Sequence, residues 1–335
     1  MSIAGPLWSG ARCRCDAPAR MALDPHVQQF LKRLSLSAPR SAGALTVEER
    51  RVALTRLLSL GGEPPEVART EAYDIAGPAG NLSIRAYDPL EAAGARGSAL
   101  VYFHGGGLVA GTLDAYDGIA RCLANASGCR LIAVDYRLGP EARFPAALRD
   151  ACAATEWVID HAVELDVDPD RLGVCGDSAG ATLAVAVCQQ RAADRLRGVA
   201  LQVLLCPILD YRAATIARRS YDRGDLLDRL TLEHDVAHYL QADSNRADPR
   251  VSPLLAEGFA DLPPAYIHTA ACDPVREDGS EYARKLRDAG VPVSYRCHTG
   301  MIHLFYGLGM VIPYVAEAYR TIGAEIRAEL GEEVL

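Results

Sequence analysis

The chain has 335 residues, of which 50% are hydrophobic and 23% charged, a globular composition long enough for one large α/β domain or two ordinary domains. It contains 43 acidic and 35 basic residues, which gives a formal net charge of −8 at pH 7. This acidic balance argues against nucleic acid or an anionic membrane as the main partner, because both attract basic surfaces.

The N-terminal residues show no regular pattern, and we expect residues 1–20 to form an irregular arm ahead of the folded part. They lack the basic start and apolar run of a secretory signal peptide. No stretch of the chain reaches the ~18 apolar residues that a membrane span requires. We therefore expect a cytoplasmic protein with no stable membrane insertion.

Two helices are predicted within residues 21–66. Asp24 followed by Pro25 is typical of a helix start, and the apolar residues after it fall on one helical face. Thr46, with Glu49 three residues later, forms a capping box that predicts the start of a second helix.

From residue 71 onward, short apolar runs typical of β-strands alternate with helical stretches. The predicted strands are 71–76, 82–87, 98–103, 131–136, 171–175, 201–205, 265–271 and 293–297. The predicted helices between them are 144–161, 179–193 and 279–290. This alternation predicts an α/β fold with a mostly parallel sheet covered by helices on both faces, edged by an antiparallel hairpin.

One segment, residues 210–253, interrupts the alternation. It is long and charged, with a helix predicted at 226–240. We expect it to form a helical cap together with residues 21–66. The rest of the chain, residues 67–209 and 254–335, is predicted to form the two parts of one α/β domain.

The strongest chemical motif is Gly176-Asp177-Ser178-Ala179-Gly180, which matches GxSxG between a predicted strand and a predicted helix. Such a turn is so tight that it requires the glycines, and it holds the serine hydroxyl exposed. The amino end of the following helix favours negative charge. The motif predicts Ser178 as a nucleophile, although a Gly-Ser turn could match by chance.

A second motif, His104-Gly105-Gly106-Gly107, follows a predicted strand. Acyl transfer turns a carbonyl oxygen into an oxyanion, which needs amide donors already aimed at it. We predict that the amides of Gly105, Gly106 and Ala179 form this oxyanion hole, with His104 bracing the loop. A phosphate-binding loop is disfavoured, since the P-loop lysine and the GxGxxG spacing are absent.

The base and its orienting acid are expected later in the chain, in the order serine, acid, histidine. His303 follows the last predicted strand, and Asp273 stands at the carboxyl end of the strand before it. His298 is an alternative base, and Glu277 or Asp278 an alternative acid. We favour Asp273 and His303 because the carboxyl ends of the strands are where the serine also lies.

Five motifs in this order resemble the bacterial hormone-sensitive-lipase-like esterases, the GDSAG branch of the α/β-hydrolases. They are HGGG, the DYRLGPE segment at 135–141, GDSAG, the DPVR segment at 273–276 and His303. The resemblance covers nearly all of the chain from residue 22. It implies an eight-stranded sheet, a cap of N-terminal helices plus an insertion, and hydrolysis of short- to medium-chain acyl esters through Ser178, His303, Asp273 and an acyl-enzyme.

Residues beside these motifs are predicted to contact the substrate: Leu108, Asp177, Leu304 and Phe305. Leu108 stands where the family usually has an aromatic residue, and Leu304 where glycine is common, so both are expected to shape the acyl pocket. Asp177 has an alternative interpretation, as a brace for the serine turn or a contact to the cap.

In the DYRLGPE segment, Arg137 and Glu141 are predicted to brace the loops beneath the oxyanion hole, in the manner of a buried ion pair. This position suits a structural role better than a chemical one.

The ten cysteines show neither a CxxC pair nor a zinc-binding spacing. We expect reduced thiols, no metal and no cofactor. The predicted partner is a small-molecule ester, and the resemblance makes a homodimer possible.

Two other classes of function fit parts of the pattern. Within enzymes, an amidase, a lactonase or a dehydratase could use a related site. A binding protein on the same fold is the alternative from another class, as in plant hormone receptors of this superfamily. Those receptors lack the working histidine, whereas His303 is present here.

Overall fold

The computed structural model describes residues 22–37, 42–91, 97–196, 198–212, 226–242 and 244–331. Its strands are β1 Arg69–Gly77, β2 Gly80–Asp88, β3 Gly97–Phe103, β4 Arg130–Val134, β5 Val167–Asp177, β6 Leu201–Leu205, β7 Ala265–Ala270 and β8 Val293–His298. Its α-helices are α1 Pro25–Ser37, α2 Val47–Leu58, α3 Asp117–Ser127, α4 Ala146–Asp160, α5 Ala179–Ala193, α6 Arg229–Tyr239, α7 Arg276–Asp288 and α8 Val315–Leu330.

All eight strands lie in one sheet, in the order β1-β2-β4-β3-β5-β6-β7-β8. The hairpin of β1 and β2 is antiparallel and β2 pairs antiparallel with β4, while every other neighbouring pair is parallel. Strands β4, β6 and β7 are buried along their whole length. The predicted α/β fold with a mostly parallel, eight-stranded sheet is confirmed.

Helices cover the sheet on both faces. Helices α4, α5 and α7 contribute buried apolar residues to the core on one face, and α3 and α8 contribute them on the other. The inner strands β4, β6 and β7 can be apolar on both sides because helices shield both faces there from water. This two-sided cover leaves the carboxyl edge of the sheet for loops and for side chains that follow the strands.

Several predicted boundaries are shifted. Strand β4 ends at Val134, two residues early, because Tyr136 leaves the ladder and donates its hydroxyl to the carbonyl of His104 at 2.5 Å. Helix α7 begins at Arg276, three residues early, since the Asp273 carboxylate accepts the Val275 amide at 2.9 Å and so starts the turn.

The N-terminal helices meet the insertion. The predicted starts of α1 and α2 are confirmed, and both hydrogen bonds of the Thr46–Glu49 capping box are present. Helix α6 packs against the short turn at 42–44, where a Cβ on Gly43 would lie 2.2 Å from the carbonyl carbon of Leu230. The extent of a cap over 21–66 and 210–253 stays a prediction, and residues 1–20 and 213–225 lie outside the described residues.

All eight cysteines within the described residues have free thiols, and Cys13 and Cys15 lie outside this part of the chain. None of the described helices combines the length and hydropathy that a bilayer crossing requires.

In the turn from β5 into α5, only glycine fits at Gly176 and Gly180, two residues before and two residues after Ser178. Ser178 itself has φ 52° and ψ −119°, a strained conformation. A Cβ on Gly180 would lie 2.0 Å from the carbonyl oxygen of Phe103, and a Cβ on Gly176 would lie 2.4 Å from the carbonyl carbon of Gly180. These contacts are with backbone, which cannot move aside as a flexible side chain would.

We predict that Gly180→Ala lowers the free energy of unfolding by about 1–3 kcal/mol, because the methyl group must push the end of β3 away. Gly258→Ala is the control, since a Cβ there meets nothing within 4 Å. The control should change the free energy by less than ~0.5 kcal/mol, as is usual for open surface positions. Urea titration measures both, and equal stabilities would contradict the close approach.

Candidate active site

Three side chains from separate parts of the chain meet at the carboxyl edge of the sheet. Ser178 follows β5, Asp273 follows β7, and His303 lies in the loop after β8. His303 Nε2 lies 2.8 Å from Ser178 Oγ, and His303 Nδ1 lies 2.7 Å from Asp273 Oδ2. All three are buried. This is the geometry of a nucleophile, a base and an acid that orients the base.

The alternative acids lie elsewhere. The Glu277 side chain is 87% exposed to solvent, so it faces away from the serine. Asp278 is buried, but its Oδ2 accepts the backbone amides of Leu209 and Asp210 at 2.7 and 3.1 Å. It ties α7 to the loop after β6 and leaves Asp273 as the carboxylate beside His303.

The alternative base, His298, belongs to a different buried cluster. Its Nε2 lies 3.1 Å from His268 Nδ1, and its Nδ1 lies 2.9 Å from the hydroxyl of Tyr314. Burial, with the neighbouring His268, lowers the pKa of His298 to about 3. The structure therefore brings His303, and not His298, to the serine.

The prediction that Gly105 donates to an oxyanion is wrong. Its amide donates instead to Asp177 Oδ1 at 2.8 Å, so that hydrogen is already used inside the protein. The side-chain space of Gly105 is filled as well, since a Cβ there would lie 2.4 Å from Asp177 Oδ2. Gly105 therefore joins the glycine loop to the serine turn.

The next two glycines keep their amides free. Neither the Gly106 nor the Gly107 amide donates to another described residue, while the Val109 and Ala110 amides donate to the Gly106 carbonyl. Gly106 and Gly107 have φ 107° and 71°, which favour glycine. The Ala179 amide lies in the first turn of α5, where no carbonyl partner exists within the helix. The HGGG motif alone does not reveal which of its amides already donate within the protein, so Gly107 was not singled out from the sequence.

Asp177 does not reach the substrate side, so its predicted substrate contact is wrong and its bracing role fits. Its carboxylate is completely buried and accepts the Tyr102 hydroxyl at 2.5 Å, the Gly105 amide at 2.8 Å and the Tyr306 hydroxyl at 3.0 Å. Burial raises the pKa of Asp177 to about 6, although these three donors act in the opposite direction. One carboxylate thus holds the serine turn, the glycine loop and the histidine loop together.

The apolar residues predicted to contact the substrate are all buried. Leu108 and Leu304 have positive φ values of 62° and 61°, so the backbone bends sharply at both. The ring of Phe305 packs among His298, Tyr306 and Tyr314, with centroid distances of 5.0, 5.6 and 6.2 Å. Phe305 therefore supports the histidine loop from behind, and a substrate contact stays a prediction.

Arg137 and Glu141 do not pair with each other, which corrects the expected buried ion pair. Arg137 binds both carboxylate oxygens of Asp150 on α4, at 2.7 and 2.8 Å. Glu141 pairs with Arg51 of α2 at 2.7 Å, and the Glu141 side chain is 62% exposed. Arg51 also donates to the Val109 carbonyl at 2.9 Å, so α2 is bound to the glycine loop.

His104 braces the same loop. Its Nδ1 donates to the Gly105 carbonyl at 2.7 Å, and its ring stacks on Tyr136 with centroids 4.5 Å apart. Burial lowers the pKa of His104 to about 4, so the ring stays neutral in neutral solution.

An ion pair whose two residues belong to no sequence motif lies against Gly107. Asp235 of α6 is 5% exposed, and its Oδ2 lies 3.4 Å from an Arg50 guanidinium nitrogen of α2. A Cβ on Gly107 would lie 1.9 Å from the same carboxylate oxygen. His234 Nδ1 lies 3.1 Å from the other oxygen. The pair joins two separate helices to the loop, and Arg50 compensates a negative charge beside the free amides.

Comparison with known proteins agrees with this geometry. The sequence profile of the α/β-hydrolase fold family matches residues 100–307. The chain is 37% identical over 302 residues to an ethyl acetate hydrolase of Pseudomonas putida, covering 87% of this chain and 94% of that relative. It is 34% identical over 289 residues to an arylesterase of Saccharolobus solfataricus, covering 86% and 93%.

A solved structure gives the same result. An ester hydrolase from the metagenome of Lake Arreo, in complex with a derivative of bipyridine phosphonate, is 35% identical with a TM-score of 0.86. The alignment covers 92% of this chain and 100% of that one. The fold and these comparisons define a hydrolase of the α/β-hydrolase class, and the chain belongs to the hormone-sensitive-lipase-like esterases. It is a carboxylic ester hydrolase.

We predict that Asp177→Asn lowers kcat by roughly tenfold or more and lowers the free energy of unfolding by about 1–3 kcal/mol. The amide offers one acceptor oxygen to three donors, so the Gly105 loop loses its fixed position. Asp170→Asn, at an exposed site, is the matched control. Ester turnover and urea titration measure the two effects, and a variant that matches the control in both would contradict the bracing role.

We predict that Arg50→Met lowers kcat by about tenfold or more and destabilises the fold by about 3–5 kcal/mol, because the buried Asp235 carboxylate beside Gly107 loses its guanidinium partner. Adding Asp235→Asn should restore most of both losses. Arg284→Met, in an exposed pair, serves as the surface control. If the double variant is as impaired as Arg50→Met, the loss does not come from the unpaired charge.

Proposed function

We propose that this esterase hydrolyses short- to medium-chain acyl esters through an acyl-enzyme on Ser178. The observation that carries the proposal is the continuous chain from Asp273 through His303 to Ser178, with links of 2.7 and 2.8 Å. The free amides beside these three side chains are the second observation that supports the proposal.

In the first step, His303 Nε2 accepts the Ser178 hydroxyl proton while Oγ attacks the ester carbonyl carbon. Asp273 accepts the His303 Nδ1–H, which fixes the ring tautomer and stabilises the imidazolium that forms. The protonated His303 then gives its proton to the leaving alcohol. In the second step, water donates a proton to His303 while its oxygen attacks the acyl carbon. His303 then returns that proton to Ser178 Oγ as the bond between Oγ and the acyl carbon breaks, which releases the carboxylic acid.

The oxyanion of each tetrahedral intermediate is assigned to the amides of Gly106, Gly107 and Ala179. Gly106 keeps the role predicted from the sequence, and Gly107 replaces Gly105, whose amide is occupied by Asp177. The dipole of α5, whose amino end begins at Ala179, adds to this stabilisation.

The preference for small acyl groups rests on two kinds of support. Leu108 and Leu304 are buried on the loops that carry the oxyanion donors and the base, where their side chains can limit the acyl pocket. The relative from Pseudomonas putida is named for ethyl acetate, a small ester. We assign no cofactor to the reaction, since serine, imidazole and amides supply every group that the two steps require.

We predict that Ser178→Ala lowers p-nitrophenyl butyrate hydrolysis by at least about 1,000-fold, because the nucleophile is removed. Ser35→Ala, at an exposed position of α1, should keep the wild-type rate. Across p-nitrophenyl esters from acetyl to palmitoyl, kcat/KM should be highest for the short and medium chains.

Two results would contradict the proposal. A Ser178→Ala variant that retains most of its turnover would exclude the acyl-enzyme. Faster turnover of palmitoyl than of butyryl esters would exclude the assigned substrate class. Matched amide and lactone substrates should be turned over more slowly than the butyrate ester, which separates the esterase from an amidase or a lactonase.

A further inference from the structure

A buried thiol lies beside the base and acid, and the two-step mechanism makes no use of it. Cys206 follows β6 directly and is 1% exposed. Its backbone has φ 47°, an uncommon value for a residue other than glycine. Its amide donates to the His268 carbonyl at 2.7 Å, so pairing with β7 fixes the position of this residue.

The thiol completes a three-residue cluster. Cys206 Sγ, a carboxylate oxygen of Asp273 and a ring nitrogen of His303 all lie within 4.8 Å of one another, and all three residues are buried. No other group of three or more such side chains within the described ranges has this spacing. Cys206 thus adds a sulfur donor to an oxygen and a nitrogen that the catalytic geometry already holds together.

The donor set matches one kind of ion. Thiolate, imidazole and carboxylate are the ligands that Zn²⁺ takes in proteins, with bonds of about 2.0–2.3 Å. Ligand atoms around a tetrahedral zinc are therefore roughly 3.3–3.8 Å apart, by the same bond lengths. Small side-chain movements would bring the three atoms to this spacing. Magnesium and calcium prefer sets of oxygen ligands, so the sulfur and nitrogen disfavour both.

We propose that Cys206, Asp273 and His303 form an inhibitory site for a thiophilic divalent cation, with Zn²⁺ as the ion that fits best. The proposal rests on the proposed function, because it places the ion on the base and acid of that mechanism. The ion is not a resident cofactor. It would enter by way of Ser178 and His303, which are 6% and 7% exposed at the site.

Inhibition follows from the position of one proton. A hydrogen on His303 Nδ1, donated to the Asp273 carboxylate, leaves Nε2 free to accept from Ser178. Zinc takes Nδ1, so the ring hydrogen must sit on Nε2, which then cannot accept the serine proton. The Cys206 thiol loses its proton to solvent and binds as thiolate. Binding thus forms Zn–S, Zn–N and Zn–O bonds and releases one proton.

The neighbourhood of Cys206 explains why the thiol stays protonated without a cation. Burial and the Asp273 carboxylate raise the pKa of Cys206 well above its usual range. A divalent ion between the two groups would compensate both negative charges.

The first experiment measures zinc inhibition of p-nitrophenyl butyrate hydrolysis, with each variant normalised to its own rate in chelator. We expect Cys206→Ala to raise the inhibitory zinc concentration by roughly tenfold or more, because one of three ligands is lost. Cys206→Ser is the second variant, in case alanine disturbs the fold. Chelator should restore the wild-type rate.

Two control variants cover competing sites. Cys297→Ala removes a partly buried thiol on β8 outside the cluster. His238→Ala breaks the pair of His234 and His238, whose tilted rings lie one helical turn apart with centroids 4.2 Å from each other. Each control should change the inhibitory concentration by less than about twofold. Equal sensitivity of the wild type and both Cys206 variants would overturn the proposal.

A second measurement does not depend on activity. Ser178→Ala keeps all three proposed ligands, so calorimetry should detect zinc binding to it, with about one proton released per ion when buffers of different ionisation enthalpy are compared. Binding that persists without the Cys206 thiol would overturn the site. An active esterase that zinc does not inhibit would refute this inference alone, whereas zinc binding without any ester turnover would refute the proposed function.

Discussion

The two hydrogen bonds of His303 are the interaction on which the rest of the structure depends. They join the residue after β5 to the residue after β7 through a loop that follows β8. These ends can meet because β5, β6, β7 and β8 are parallel neighbours in one sheet. The register of that sheet therefore brings Ser178 and His303 close together before any side chain adjusts. Such an arrangement needs no binding energy from the substrate to assemble it.

A second set of interactions, between buried polar groups, fixes the loops that the sheet itself does not position. The Asp177 carboxylate binds the Gly105 amide and the hydroxyls of Tyr102 and Tyr306, so the serine turn and the glycine loop move as one unit. The ion pair of Arg50 on α2 and Asp235 on α6 packs against the same loop. Free amides aimed at a developing charge are effective only when they cannot relax away from it. The buried polar groups thus hold the proposed oxyanion donors in place.

The sequence predicted the fold better than it predicted the contacts of single groups. All eight strands and the turn at Ser178 follow from apolar runs and glycine spacing, which are local properties of the chain. The observed boundaries differ from the predicted ones where a side chain hydrogen-bonds to the backbone, as Asp273 does at the start of α7. Local patterns contain no information on such contacts.

The misassigned residues share one cause. Whether the Gly105 amide is free depends on Asp177, which lies 72 positions away, and Arg50 meets Asp235 across 185 positions. The motif gives the residue types near the site, but the partners that occupy or free each group come from distant segments. The GDSAG and HGGG motifs indicated the reaction because the turn and the loop that they form need glycine at fixed positions of the local sequence. The role of Asp177 depends on its contacts with the glycine loop, which the sequence motifs do not specify.

The central claim, that Ser178 is the residue His303 activates, can be tested by covalent labelling. A p-nitrophenyl alkylphosphonate should react once per chain, and peptide mass spectrometry should place the phosphonyl group on Ser178. His303→Ala should slow labelling by at least about 1,000-fold, because the proton acceptor is gone. Labelling at another residue, or labelling of His303→Ala at the wild-type rate, would contradict the account.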